Sequence, residues 1–438
     1  MSLQFITGNS GNGKTKYLFN RIVKEAKANP RDNYLVIVPE QFTMQTQRQL
    51  VDLSENKAIM NIDVLSFKRL AYRVFDELGI TNLTVLEETG KNLVLRKLAA
   101  QEADKLGVIG RNLNRIGYIS EVKSLLSELV QYNISPEELG RYIASGRLSD
   151  TLSDKLKDVL VLYEAFEKFM QDKYITAEEI LNVLSNVAEE SAILRNSVIA
   201  FDEFTGFTPI QNQLIKKLFV ISKKIYVTLT IDCREDIFKS RGMQELFDMP
   251  KRTVKSLTEM AAFYGIEVEE PIILDKNYRL AENEELSFME QQLFRKRRCS
   301  FKKVPKHIHI DCLRDPKQEL TKIARRINEL VRNENLRYRD IAIVTGDVNI
   351  YAGYVREIFD KYNIPYFIDA TQEILFHPFI EFIRSIPDIA AQNFSADAVF
   401  RFLRCGFSEL LDSEIDVLEN MASRGMTKWV RISMNPSS

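Results

Sequence analysis

The run Gly8-Asn9-Ser10-Gly11-Asn12-Gly13-Lys14-Thr15 constrains the fold of this chain more than any other segment. It fits the pattern G-x-x-x-x-G-K-[ST], and so do its surroundings. The apolar stretch Leu3-Gln4-Phe5-Ile6-Thr7 ahead of it reads as a buried strand, and a helix is expected behind it through about Ala26. Glycines let successive backbone N–H groups converge on phosphate oxygens, and the N-terminus of the following helix adds a favourable field. In such a loop Lys14 reaches the β- and γ-phosphates of a nucleotide and the Thr15 hydroxyl ligates Mg²⁺. The pattern predicts an α/β P-loop fold built on parallel sheet, with ATP·Mg²⁺ held by Gly8 to Thr15. A glycine-rich turn with an incidental lysine is the competing reading.

Strand and helix alternate beyond the loop. Tyr34 to Val38 reads as a strand stopped by Pro39, and Ile62 to Leu65 as another, followed by a helix from Phe67 to Leu78. From about 85 to 195 the pattern is helix after helix. Val122, Leu125, Leu126, Leu129 and Val130 share one helical face, and Ser135-Pro136-Glu137-Glu138 reads as a capped helix start. Strands return at Val198 to Phe201 and Ile225 to Ile231, so the helical block is an insertion between strands of one sheet. Strand patterns resume at His307 to Ile310, Ile341 to Val344 and Pro365 to Asp369, with helices expected over Glu319 to Val331 and Tyr351 to Tyr362. These readings divide the chain into a discontinuous first domain (1–85 and 195–290), the insertion (86–194), a second α/β unit (300–390) and a helical stretch, 391–438, that closes no domain of its own and reads as truncated.

Net charge is −1, which gives no global basic field for nucleic acid, so any DNA contact must be local. The basic residues Arg295-Lys296-Arg297-Arg298, Lys302, Lys303 and Lys306 suit a solvated linker better than a track for a DNA backbone. Four cysteines without C-x-x-C spacing and three histidines argue against a metal centre built from either residue type. No apolar run is long enough to span a bilayer, and the N-terminus has neither the charged nor the apolar region of a secretory signal, so a cytoplasmic protein is expected.

Asp202-Glu203 ends the strand Val198 to Phe201, where the acidic pair of a P-loop enzyme belongs. Asp202 would hold the Mg²⁺ shell, and Glu203 would orient or deprotonate the attacking water; a solvated loop start competes for Glu203. Arg279, in Leu274-Asp275-Lys276-Asn277-Tyr278-Arg279, is a candidate for the γ-phosphate, with a plain surface arginine as its rival.

Several of these segments, taken in order, resemble superfamily 1 helicases and, more closely, the AddB family of bacterial AddAB helicase–nucleases. The resemblance rests on the P-loop, Val38-Pro39-Glu40-Gln41-Phe42-Thr43, Val64-Leu65-Ser66-Phe67-Lys68-Arg69, Phe201-Asp202-Glu203-Phe204-Thr205-Gly206-Phe207-Thr208-Pro209, and the run from Tyr338 to His377-Pro378. It covers residues 3 to about 390 and implies a four-subdomain motor: 1A with the P-loop, 1B inserted in it, then 2A and the start of 2B. It further implies an AddA-type partner, single- and double-stranded DNA as ligands, and a part in Chi recognition and recombinational repair. The resemblance also implies an iron–sulfur cluster, in the family's nuclease region C-terminal to those segments. Single-stranded DNA candidates are Gln41, Phe42, Ser66, Phe67 and Arg69, since phosphates need donors and an aromatic ring can stack a base; core packing competes for Phe42 and Phe67. Two departures leave adenine specificity and hydrolysis open: the sequence has no room for an upstream glutamine motif, and Asp232-Cys233-Arg234-Glu235 lacks the glutamine of helicase motif III. A helicase-fold scaffold that does not hydrolyse ATP, or an unrelated P-loop ATPase or kinase, remain the rival functions.

Overall fold

The computed structural model describes residues 1–81, 84–107, 116–145, 148–170, 174–295, 299–369 and 374–423. The chain forms two compact units, Met1–His309 and Ile310–Ser438.

The first unit starts with strand β1 (Ser2–Gly8), helix α1 (Lys14–Ala28), β2 (Tyr34–Ile37), α2 (Thr43–Leu53), β3 (Ile62–Leu65) and α3 (Phe67–Leu78). A mainly helical stretch follows: β4 (Val85–Leu86), α4 (Glu88–Gln101), α5 (Ile116–Gln131), α6 (Pro136–Ala144), α7 (Asp150–Met170), β5 (Ile175–Thr176) and α8 (Ile180–Val187). The sheet then resumes with β6 (Val198–Phe201), α9 (Pro209–Ile221), β7 (Lys224–Thr230), α10 (Asp248–Phe263), β8 (Glu267–Val268), β9 (Ile272–Leu274) and α11 (Glu284–Gln292).

Among the described residues the main sheet has seven strands in the order β3-β2-β6-β7-β1-β8, with β9 also pairing β1, and every pairing is parallel. The fold is therefore α/β, as expected. Strands buried on both faces read as continuous apolar runs, and β2 and β6 are buried at every position. One face packs Leu70, Val74, Leu214 and Leu218 of α3 and α9 over Phe5, Leu35 and Ile199. The other packs Leu18, Phe19 and Ile22 of α1 over Ile6, Val36 and Tyr226. Parallel crossovers bring the carboxyl ends of β1, β2, β3, β6 and β7 to one edge. There the pairs Gly8–Thr230, Phe201–Val227, Phe201–Ile37 and Ile37–Leu65 lie side by side.

Helices α4 to α7 build a separate core around Leu95, Leu126, Leu162 and Phe166, and Ser135 caps α6 by accepting from Glu138 N. Two details escaped the sequence reading. The two-residue strands β4 and β5 pair with each other, and α8 with the turn that follows it packs Ile180, Leu184 and Ala188 into the sheet core rather than into the helical one. Their spacing of four residues is the apolar stripe that puts α8 there.

The second unit holds α12 (Pro316–Asn333), α13 (Val348–Lys361), α14 (Pro378–Ala391), α15 (Ala396–Leu403) and α16 (Asp412–Ser423). Leu320, Ala324 and Ile327 of α12 pack on Ile358 and Phe359 of α13. The strands expected at Ile341 to Val344 and Pro365 to Asp369 are not formed: both segments run as irregular chain, as does His307 to Ile310. An apolar segment becomes a strand only when a neighbour completes its hydrogen bonds, and Val344 and Phe367 stand 92% and 89% exposed. Residues 424–438 and Lys296, Arg297 and Arg298 lie outside the described residues. Arg295 itself is no linker residue in solvent: its guanidinium is folded onto buried Asp232 at 2.9 Å. No helix among the described residues is long and apolar enough to cross a membrane.

Candidate nucleotide-binding site

At the carboxyl edge of the sheet, β1 runs into the loop 8–15 and α1 begins at Lys14. Gly11 and Gly13 adopt left-handed conformations at φ 89° and 79°, which a side chain would disfavour. The Asn9 and Asn12 side chains are buried and turned inward. Asn9 Nδ2 donates to Glu290 at 2.8 Å while its Oδ1 accepts from Cys233 N at 2.9 Å, and Asn12 Nδ2 donates to Leu274 O. These two asparagines anchor the loop, so what they can offer a ligand is backbone alone.

Lys14 Nζ donates to Gly8 O and Asn9 O at 3.1 and 3.0 Å. Burial lowers its pKa from the usual lysine value, and Glu203 and Asp202 partly oppose the shift. Thr15 Oγ1 lies 3.3 Å from both Asp202 Oδ1 and Glu203 Oε1, bringing together residues 187 and 188 positions apart.

Asp202 is 1% exposed. Burial raises its pKa, with the neighbouring Glu203 adding to the effect, while hydroxyls from Thr228 and Thr15 stabilise the ionised form. Its Oδ2 is buried with no hydrogen-bond partner. A buried acceptor left without a donor is costly, and a Mg²⁺ shell placed against it would relieve that cost. The donor set of one hydroxyl and one carboxylate suits a hard cation that keeps most of its waters. Glu203 is exposed and sits at φ 64°, a conformation rare for residues other than glycine. Such strain concentrates at functional turns, and here it accompanies a carboxylate aimed at Thr15.

These residues line a cleft of about 740 Å³ together with Tyr278 and Arg279. Sequence reasoning named Arg279 but missed Tyr278, an exposed residue whose ring lies beside Gly13. It also missed Thr228, a buried residue of β7 whose hydroxyl donates to Asp202 Oδ1. The alternation Tyr226, Thr228, Thr230 hinted at a polar face on that strand, but only the strand order places it between the P-loop strand and Asp202.

The residues expected at DNA separate. Phe67 is buried in an aromatic cluster, its ring centroid 5.8 Å from Phe201 and 5.5 Å from Phe204, so the packing reading describes it and no face is free to stack. Phe42 is half-buried and lines the same cleft as Lys14 and Thr15. Ser66 is buried, caps α3 and donates to Glu40, while Arg69 donates to Glu40 at 3.1 Å. Ser66 and Arg69 hold the Glu40 carboxyl below the usual glutamate range. Gln41 is exposed.

The family model described as "ADDB, N-terminal" matches residues 5–290, more than half of the chain. The chain belongs to the AddB family. Among curated members, each named as the B subunit of an ATP-dependent helicase/deoxyribonuclease, that of Lachnoclostridium phytofermentans is 38% identical over 425 residues. Those of Clostridium tetani and Clostridium acetobutylicum are each 33% identical, over 429 and 435 residues. The alignments cover 96% to 98% of this chain and 37% of each of these relatives, so the chain spans somewhat over a third of their length. The AddB match extends from β1 through α11, the stretch that carries every residue of the cleft just described.

Proposed function

We propose that this chain is the N-terminal, helicase-like part of one subunit of a helicase–nuclease that processes DNA double-strand breaks, and that its P-loop binds ATP·Mg²⁺. One observation carries the reading: Lys14, Thr15, Asp202 and Glu203 converge at the carboxyl edge of a parallel sheet, with a buried Asp202 oxygen lacking any partner. The strand order and the inserted helices suit a superfamily 1 motor in which 1A carries the loop and 1B is the insertion.

Within the cleft each residue has a task that follows from its position. The backbone of Gly8 to Gly13 receives the phosphates, and Lys14 exchanges its two carbonyl acceptors for phosphate oxygens. Thr15 and Asp202 hold Mg²⁺, which when bound neutralises charge on the phosphates. Glu203 accepts the proton of an attacking water, and Arg279 supplies positive charge at the γ-phosphate. Tyr278 offers an exposed ring to the base.

Single-stranded DNA would pass along the other half of the same edge, over Gln41 and Arg69, for which exposed donors are the support, with buried Ser66 beneath them engaged by Glu40. An AddA-type partner, double-stranded DNA, a share in Chi recognition and recombinational repair, and a cytoplasmic setting accompany the family reading. Calorimetry of ATP·Mg²⁺ binding to this chain, wild type beside Lys14→Ala, tests the site. Binding that the substitution abolishes sustains the proposal. Absence of binding in the wild type transfers the lead to a helicase-fold scaffold.

A further inference from the structure

We propose that Asn277 is a positioning residue that locks the apex of the P-loop to the segment carrying Tyr278 and Arg279, an inference that rests on the nucleotide-binding reading of this cleft. An asparagine side chain holds donor and acceptor on one short amide, and Asn277 uses both ends. Its Nδ2 donates to Ser10 O at 3.0 Å, and its Oδ1 accepts from Arg279 N at 3.1 Å and Leu280 N at 3.0 Å. The backbone repeats the tie, since Tyr278 N and Arg279 N donate to Gly11 O at 3.0 and 3.4 Å.

The approach is close enough to require a bare backbone. A Cβ on Gly11 would lie 2.8 Å from Asn277 Oδ1 and 2.8 Å from the Arg279 Cβ, and one on Gly13 would lie 3.5 Å from the Tyr278 ring. The second glycine of the loop thus serves this contact as well as the phosphates. In a planar trans peptide the carbonyl and the next N–H point in opposite directions. With Ser10 O turned to Asn277, the Gly11 N–H points away from the 277–279 segment. The same amide caps the turn that presents Tyr278 and Arg279 to the cleft. Asn277 itself touches no ligand; it sets the loop and the residues facing it as one assembly.

Three substitutions separate the two halves of this role. Asn277→Ala removes both. Asn277→Asp keeps a short acceptor for the turn and loses the donor to Ser10 O while adding a charge; in Asn277→Ser the single hydroxyl sits one bond nearer the backbone, where it serves the turn without reaching Ser10 O and without adding a charge. Two readouts are taken on the chain: ATP·Mg²⁺ affinity by calorimetry, and hydrogen exchange of residues 8–13 in the nucleotide-free protein. All three variants are expected to weaken ATP·Mg²⁺ binding about tenfold and to speed exchange in the loop by a similar factor, with thermal unfolding little changed.

Wild-type affinity and exchange in Asn277→Ser or Asn277→Asp would overturn the proposal, because the turn alone would then explain Asn277. Unchanged loop exchange in Asn277→Ala would overturn it as well. If the wild-type chain binds no ATP the nucleotide reading fails, and exchange in the loop still decides whether Asn277 holds it.

Discussion

Two polar clusters sit at the carboxyl edge of the same sheet and differ in what surrounds them. The first, at the ends of β1, β6 and β7, is desolvated: Asp202, Thr228 and Asp232 are buried, and one Asp202 oxygen has no partner. The second, beyond β2 and β3, is mostly open to solvent. There Glu40 and Arg69 side chains are 58% and 53% exposed, and Glu40 engages both Ser66 and Arg69. In the buried cluster an Asp202 oxygen is left without a partner, whereas in the open cluster the Glu40 carboxylate already engages both donors. Burial separates a cluster with an unpartnered oxygen from one whose donors are already occupied, and an exposed ion pair of the second kind contributes only about 0–1 kcal/mol and exchanges easily.

The largest effect expected is on phosphate recognition. Lys14→Ala removes a charge-assisted contact of about 1.5–3 kcal/mol, raising the ATP·Mg²⁺ dissociation constant roughly ten- to a hundredfold. A calorimetric titration indistinguishable from wild type would put phosphate recognition outside this loop and end the contrast at its root.

Asp232, just beyond β7, extends the comparison to stability. Burial opposes its ionisation, yet Arg234 at 2.6 Å and Arg295 at 2.9 Å hold its pKa down to about 2. The folded value lies below the unfolded one, so the pair's contribution is fully present above about pH 4 and is lost as pH falls toward 2. Asp232→Asn is expected to cost on the order of 1–2 kcal/mol at neutral pH and progressively less in acid. Urea denaturation of both proteins at pH 7 and pH 3 measures this, and an equal gap at the two pH values would show that the ion pair is not the source.

A smaller change is expected at Thr228. Thr228→Val removes one of the two hydroxyls that donate to Asp202 and should weaken the Mg²⁺-dependent part of ATP binding by about 1 kcal/mol, with binding in chelator unaffected. Equal losses with and without Mg²⁺ would mean that Thr228 supports the loop rather than Asp202.

The smallest effect belongs to the open cluster. Glu40→Gln removes the negative charge that holds Ser66 and Arg69, so single-stranded DNA affinity should rise a few-fold at low salt while stability shifts by less than about 0.5 kcal/mol. Arg69→Ala should lower that affinity and reduce the salt slope by about 1. A fall in DNA affinity on Glu40→Gln would show that the carboxylate supports DNA binding rather than competing with it.

The AddB match and the candidate cleft draw on features legible along the chain, because the P-loop is local. Its glycines, lysine and flanking strand and helix lie within adjacent residues, and the apolar pattern marked β2, β3, β6, β7 and α3 close to their observed bounds. The same pattern misled at Ile341 to Val344 and Pro365 to Asp369, since an apolar run records a wish for burial and not the presence of a neighbouring strand.

What the sequence determined by itself, then, is the glycine-rich loop with its flanking strand and helix, the alternation of elements and the acidic pair. Tertiary structure alone decided that β7 lies between β1 and β6, which sets Thr228 under Asp202 and Thr15 against a carboxylate 187 residues away. It also decided that Phe67 is core, that Glu40 holds the donors of Ser66 and Arg69, and that Asn277 reaches the loop across 267 residues. Propensity and periodicity act over a few residues, while crossover connections and close packing choose which distant side chains meet.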